Sequence, residues 1–124
     1  MAKKFVVGIL IKDGKYLAEK RHQHEQFYPG KIIFPGGHIE GNEKPEEALA
    51  REMEEELGIV IKKYHFIGRF FYDDGTSSMV YTISQWSGDP EPKEAEIIIW
   101  IEKDNQLSND FDKKILKKVK DLKP

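Results

Sequence analysis

The sequence predicts an α/β domain in which a mixed sheet is covered by helices on both faces. Three observations lead there. Short runs rich in β-branched and aromatic residues recur along the chain with turn residues between them. Two segments, Pro45 to Leu57 and a second around Phe111 to Val119, repeat their apolar residues at helical spacing. The 124 residues, 39% of them hydrophobic, suit one domain (1–124) with one modest core.

Taken in order, a first strand is expected over Phe5 to Ile11. The lysines and short apolar run before it look superficially like a signal peptide, but the run is too short and Lys12-Asp13-Gly14-Lys15 breaks it with a turn. A second strand follows near Tyr16 to Lys20. Arg21 to Gly30, RHQHEQFYPG, has no apolar period and reads as a loop near the site. Lys31 to Phe34 is a short strand feeding a Pro35-Gly36-Gly37 turn. The helix from Pro45 to Leu57 has both ends marked, by a proline at its first position and by Gly58, which can take the left-handed closing conformation. Glu46 and Glu47 complement its dipole, whereas Lys44 at the N-cap has no side-chain acceptor. Beyond it, Ile61 to Tyr72 and Met79 to Trp86 form a hairpin about Asp73-Asp74-Gly75-Thr76. Ser87 to Lys93 is a loop, and Glu96 to Ile101 a strand whose unbroken Ile97-Ile98-Ile99-Trp100-Ile101 predicts burial on both faces. Ser108 or Asn109 caps the last helix, in which Phe111, Ile115, Leu116 and Val119 face inward.

Charge and composition narrow the function. The net charge of -2 hides a strip from Glu40 to Glu56 with eight acids and two bases, leaving 14 acids and 18 bases elsewhere. The strip is local, and basic groups elsewhere could meet a polyanion. No broad basic face argues for duplex nucleic acid, and the closing lysines read as the solvated side of a helix. No apolar stretch approaches membrane-spanning length. With no cysteine, disulfide and thiol chemistry are excluded and a cytoplasmic location is expected. Nothing in the sequence marks an oligomeric state.

The chemistry concentrates in Gly37 to Ile59, GHIEGNEKPEEALAREMEEELGI. At about 100° per residue, Glu52, Glu55 and Glu56 share one helix face, beside a stripe of Leu49, Met53 and Leu57. Like charges at that spacing repel, so the cluster asks for a cation, and oxygen-only ligands suit Mg²⁺, with Mn²⁺ as the alternative. His22 and His24 lack a third partner and read as solvent-exposed or substrate-facing instead.

These residues match the Nudix box position by position at Gly37, Glu43, Arg51, Glu52, Met53, Glu55, Glu56, Gly58 and Ile59. The chain resembles a Nudix hydrolase, and its size and Phe34-Pro35-Gly36-Gly37 are most similar to MutT-type members. The resemblance implies the α/β/α Nudix sandwich and, as activity, metal-dependent cleavage of a nucleoside triphosphate to a monophosphate and pyrophosphate. The implied partner is a small-molecule nucleotide. Glu52, Glu55 and Glu56 are the implied metal ligands, joined by the Gly36 carbonyl, with Glu52 the first candidate for the base. Arg51 would pair with Glu43 to hold loop and helix in register, a structural role inside the catalytic motif, with Gly37 and Gly58 also structural. Trp86-Ser87-Gly88-Asp89-Pro90 resembles the segment that carries a further acid, which is Glu94 or its rival Glu96. On the substrate side the resemblance points to Arg21, followed here by His22, and to Phe34. The family's base-reading asparagine is not recovered. Its matching place is Ile115, and the nearest side-chain amide is Asn109. Phe27, Tyr28, Phe71, Tyr72 and Tyr81 are candidate stacking surfaces for a base. Two other readings stay open: hydrolysis of ADP-ribose, a dinucleoside polyphosphate or a capped RNA end, and a silent nucleotide sensor on the same fold.

Overall fold

A computed structural model describes residues 3–26 and 28–122. Its strands are β1 (Lys4–Lys12), β2 (Lys15–Lys20), β3 (Ile32–Ile33), β4 (Gly36–His38), β5 (Val60–Phe71), β6 (Ser77–Ser87) and β7 (Ile97–Ile101), with helices α1 (Pro45–Leu57) and α2 (Asp110–Asp121). The sheet is mixed. β1 runs parallel to β6, from Lys4 opposite Ser77 to Leu10 opposite Ile83, and β5 lies antiparallel beyond β6. The other edge of β1 is shared, by β4 along Phe5 to Val7 and by β2 at Ile11 and Lys12. β2 in turn carries β7 and β3.

Alternation along β1 divides the core. Val6 and Leu10 join Leu17, Ile83 and the α1 residues Leu49, Met53 and Leu57, while Val7 and Ile9 join Ala18, Phe34 and the α2 residues Ile115, Leu116 and Val119. One helix thus covers each face, which is the α/β/α sandwich the sequence implied. Burying Leu49, Met53 and Leu57 contributes roughly 1.5–3 kcal/mol each and fixes which side of α1 can face a ligand.

The α1 boundaries fall where the sequence put them. Gly58 has φ 71° and donates its N–H to the Glu54 carbonyl at 2.9 Å. Lys44 supplies no side-chain cap, but Glu47 Oε1 accepts the Lys44 N–H at 2.8 Å, so half of a capping box survives. Asn109 is the N-cap of α2, its Oδ1 accepting the Asp112 N–H at 2.7 Å.

Two expectations are corrected. Gly36 and Gly37 are not a turn but part of β4, which pairs along β1 with Val7 opposite Gly36 and Val6 opposite Gly37. Glycine allows this, since a Cβ at Gly36 would collide with the Val6 backbone. The run Ile97 to Ile101 is not wholly buried: Ile97 is 43% exposed, and only Ile101 is fully inside. β7 pairs with β2 alone among the described residues, so its far edge opens the apolar run to solvent.

Candidate active site

Helix α1 carries its three motif glutamates into different environments. Glu56 falls three residues after Met53 and seven after Leu49, on the buried stripe, and is 4% exposed. The side chain of Glu52 is 12% exposed and that of Glu55 is 48% exposed. They share one turn of helix, but only Glu55 is well solvated.

Arg51 organises this surface. Its Nε and Nη2 fork onto Glu43 at 2.7 and 3.0 Å, and Nη2 also donates to the His38 carbonyl at 2.9 Å. Nη1 donates to Glu52 Oε1 at 2.9 Å and to Glu55 Oε2 at 3.1 Å. The guanidinium therefore ties the end of β4 and the following loop to the helix, the role expected of the pair with Glu43. Those hydrogen bonds hold the Glu43 carboxyl below the usual range and push the Arg51 guanidinium up.

Gly37 and Gly36 have distinct uses. The Glu52 carboxylate rests on the Cα of Gly37, where any Cβ would overlap it. The Gly8 N–H donates to the Pro35 carbonyl and the Ile39 N–H to the Lys4 carbonyl, which makes Pro35, Gly37 and Ile39 the residues of β4 and its ends that bond to β1. The intervening Gly36 carbonyl consequently points away from β1.

The loop before β7 is fastened to the C-terminus of α1. Glu91 donates its N–H to the Leu57 carbonyl and Lys93 to that of Glu56, both at 3.0 Å, satisfying carbonyls the helix leaves open. Glu94, next in sequence, is thereby brought beside α1, and burial, then Glu52 and Glu55, push its carboxyl up. Glu96 turns elsewhere, with its carboxylate 3.8 Å from Lys20 Nζ. Of the two rival acids, Glu94 is the one gathered with the helix glutamates.

A further acid, missed in the sequence, completes the group. Glu19 of β2 is 1% exposed and close enough to Glu56 for the two carboxyls to perturb each other. Burial pushes both carboxyls above the usual range, that of Glu56 further because Glu19 and Glu52 crowd it; for Glu19 the bond to Glu56 and the charge of Arg21 act the other way. The signal was present in the strand period, since Leu17, two residues earlier, faces the same core as α1.

The substrate-side expectations fare unevenly. Arg21 pairs with Glu25 at 2.8 Å, and His22 sits ring to ring with His24 at 4.9 Å in the same loop. The Phe34 ring is buried in the α2-side core, and its N–H donates to Asp112 Oδ2 at 3.1 Å. Asn109 is engaged with Asp112, and Ile115 is fully buried. Among the stacking candidates, Tyr28 and Phe71 are exposed, Tyr72 stacks on Phe111 at 3.8 Å, and Tyr81 is buried. Phe27 lies outside the described residues.

Do these residues suit a divalent ion? The donors are all oxygen, and two buried carboxylate oxygens, Glu19 Oε1 and Glu56 Oε2, have no hydrogen-bond partner, which fits a hard cation. Among the described residues no three acidic or histidine side chains converge as a ligand set, and Glu52 and Glu55 both accept hydrogen bonds from Arg51.

The NUDIX domain family profile matches residues 2–118. The chain belongs to the Nudix hydrolase family. Similar proteins include an 8-oxo-dGTP diphosphatase of Haemophilus influenzae, 36% identical over 62% of this chain and 59% of that protein. The Escherichia coli 8-oxo-dGTP diphosphatase is 29% identical over 85% of this chain and 84% of its own length. Among solved structures, one from work on MutT of Aliivibrio salmonicida and Vibrio cholerae superposes with a TM-score of 0.71 at 28% identity, covering 82% of this chain and 80% of that one. The chain is a MutT-like Nudix hydrolase, acting on phosphoanhydride bonds. Among its described residues no helix is long and apolar enough to cross a membrane.

Proposed function

We propose that this Nudix hydrolase is a Mg²⁺-dependent nucleoside triphosphate pyrophosphohydrolase, releasing a monophosphate and pyrophosphate from nucleotides with standard or oxidised bases. The observation that carries the reading is the gathering of Glu52, Glu55, Glu56 and Glu94 around the C-terminal half of α1. Names borne by two similar proteins, both 8-oxo-dGTP diphosphatases, support the substrate class.

Glu52, Glu55, Glu56, Glu94 and the Gly36 carbonyl would hold the ion, Mg²⁺ or in its place Mn²⁺. When bound, such an ion neutralises non-bridging phosphate oxygens and makes water more acidic. Glu52, whose carboxylate rests on Gly37, would be the first candidate to take the proton of the attacking water. Arg51 holds the loop and the acids in register rather than touching substrate. Arg21 supplies positive charge beside the acids, where the phosphates would lie. Selectivity for oxidised guanine would not rest on a side-chain amide at position 115, since Ile115 is part of the core.

The test is a panel of nucleoside triphosphates, 8-oxo-dGTP, ADP-ribose, a dinucleoside polyphosphate and a capped RNA end, each with Mg²⁺, with pyrophosphate and phosphate both quantified. Pyrophosphate without phosphate from the triphosphates is expected. Glu55→Gln and Glu56→Gln should each lose activity by orders of magnitude while the metal-free protein stays folded. Turnover of no compound would mark a sensor, preferential cleavage of a diphosphate-linked compound would move the substrate class, and near-native turnover by either variant would sink the ligand assignment.

A further inference from the structure

Glu19 lies outside the Nudix box and is almost completely enclosed. Along β2, Tyr16 and Ala18 pack toward α2, while Leu17 packs toward α1. Glu19 continues the Leu17 face and is 1% exposed. On that face a leucine would complete the core at no electrostatic cost. Instead β2 presents a carboxylate from below, and α1 lowers Glu56 onto it from above. The two carboxyls are close enough to perturb each other. Glu19 Oε1 and Glu56 Oε2 are the buried side-chain nitrogen or oxygen atoms without a hydrogen-bond partner among the described residues. Leaving a buried acceptor unmatched is unfavourable, and two on adjacent acids doubly so.

The unmatched atoms are both carboxyl oxygens, and their acids belong to the group that includes Glu52 and Glu94. A donor partner would satisfy one of them. A divalent cation would satisfy both and offset the excess negative charge as well.

We infer that Glu19 is an additional carboxylate of the divalent-cation centre, closing its inner, buried side together with Glu56 while Glu52, Glu55 and Glu94 form its outer side. This rests on reading α1 as the metal-binding helix. One consequence distinguishes it from a site completed by substrate phosphates. With a protein carboxylate on the inner side, the cation is held before any nucleotide arrives.

Binding of Mn²⁺ alone, without nucleotide, would be followed by electron paramagnetic resonance for the wild type, Glu19→Gln and, as a surface control, Glu102→Gln. Thermal melts would be run on each protein in chelator and at saturating Mn²⁺. Glu19→Gln keeps the shape of the side chain and loses its charge, so Mn²⁺ affinity should fall by about tenfold or more. Its metal-free melting temperature should equal or exceed that of the wild type, and the Mn²⁺-induced rise should shrink. Glu102→Gln should bind as the wild type does. Wild-type affinity in Glu19→Gln overturns the assignment. Should Glu19→Gln fail to fold, Glu19→Asp carries the test, because a carboxylate one carbon short must bind Mn²⁺ severalfold more weakly, and unchanged affinity overturns the assignment equally. The two readings separate cleanly. Mn²⁺ binding that depends on Glu19 in a protein that cleaves no nucleotide supports this assignment and defeats the catalytic one. Active wild type with Glu19-independent binding defeats this one alone, and a wild type that binds no Mn²⁺ defeats both.

Discussion

Arg51→Lys is the substitution that most directly tests how the site is held. The guanidinium donates five hydrogen bonds: two to Glu43, one to the His38 carbonyl, and one each to Glu52 and Glu55. Its side chain is 24% exposed, so these bonds are partly shielded from water. Lysine keeps the charge but not the planar fork, and a single ammonium cannot reach Glu43, His38 and Glu52 together. Charge-assisted bonds contribute roughly 1.5–3 kcal/mol each when shielded and much less when solvated. Losing one arm of the fork and the carbonyl bond, with part of the attraction recovered, leaves a destabilisation of about 2 kcal/mol. For a domain of this size that is a fall of about 8 °C in melting temperature. Urea unfolding in chelator, followed by the fluorescence of Trp86 and Trp100, reads it directly. Glu43→Gln should also lower the melting temperature, and the double variant should fall short of the sum because both changes break the same fork. A variant within 0.5 kcal/mol of wild type, or strict additivity in the cycle, would refute the view that this fork fastens loop to helix.

Two further outcomes follow from single contacts. Gly37→Ala should displace the Glu52 carboxylate, the mobile end of a side chain, so nucleotide turnover should fall steeply while the melting temperature stays within a few degrees; a large loss of stability with activity intact would contradict the contact. Burial raises the Asp112 carboxyl from 3.8 to about 6, against the opposing bonds from Phe34 and Asn109. A folded value above the unfolded one means that this group's contribution is complete below pH 3.8 and is lost as pH rises through about 6, a swing of about 3 kcal/mol. Asp112→Asn keeps an acceptor for the Phe34 N–H, so urea melts from pH 4 to 7 should show a shallower decline than wild type, and parallel curves would refute the assignment.

Most of the fold was legible because each strong local signal agreed with its tertiary setting. Pro45 and Gly58 delimited α1, Asn109 capped α2, and the Asp73-Asp74-Gly75-Thr76 turn joined β5 to β6. β4 was hidden for a physical reason. Pro-Gly-Gly is turn chemistry in isolation, and only the edge of β1 between Phe5 and Val7 converts it into a strand. The Ile97 to Ile101 run misled in the opposite direction, because hydrophobicity reports the capacity to be buried, whereas exposure depends on whether a neighbour exists.

The candidate site was legible as a motif and not as an environment. Helical spacing groups Glu52, Glu55 and Glu56 as one acidic face, yet position 56 also belongs to the stripe of Leu49 and Met53, and that second membership places it in the core. Glu19 carries no motif at all; it becomes visible only when the strand period, which puts it beside Leu17, is combined with the helix stripe that brings Glu56 to the same place. An apolar pair at 19 and 56 would make a more stable metal-free protein, and on the proposed reading the two acids there trade folding stability for affinity toward a cation. That exchange predicts its own reversal. On the proposed reading, the ion that would satisfy the orphaned oxygens of Glu19 and Glu56 is the same one the proposed hydrolysis would use.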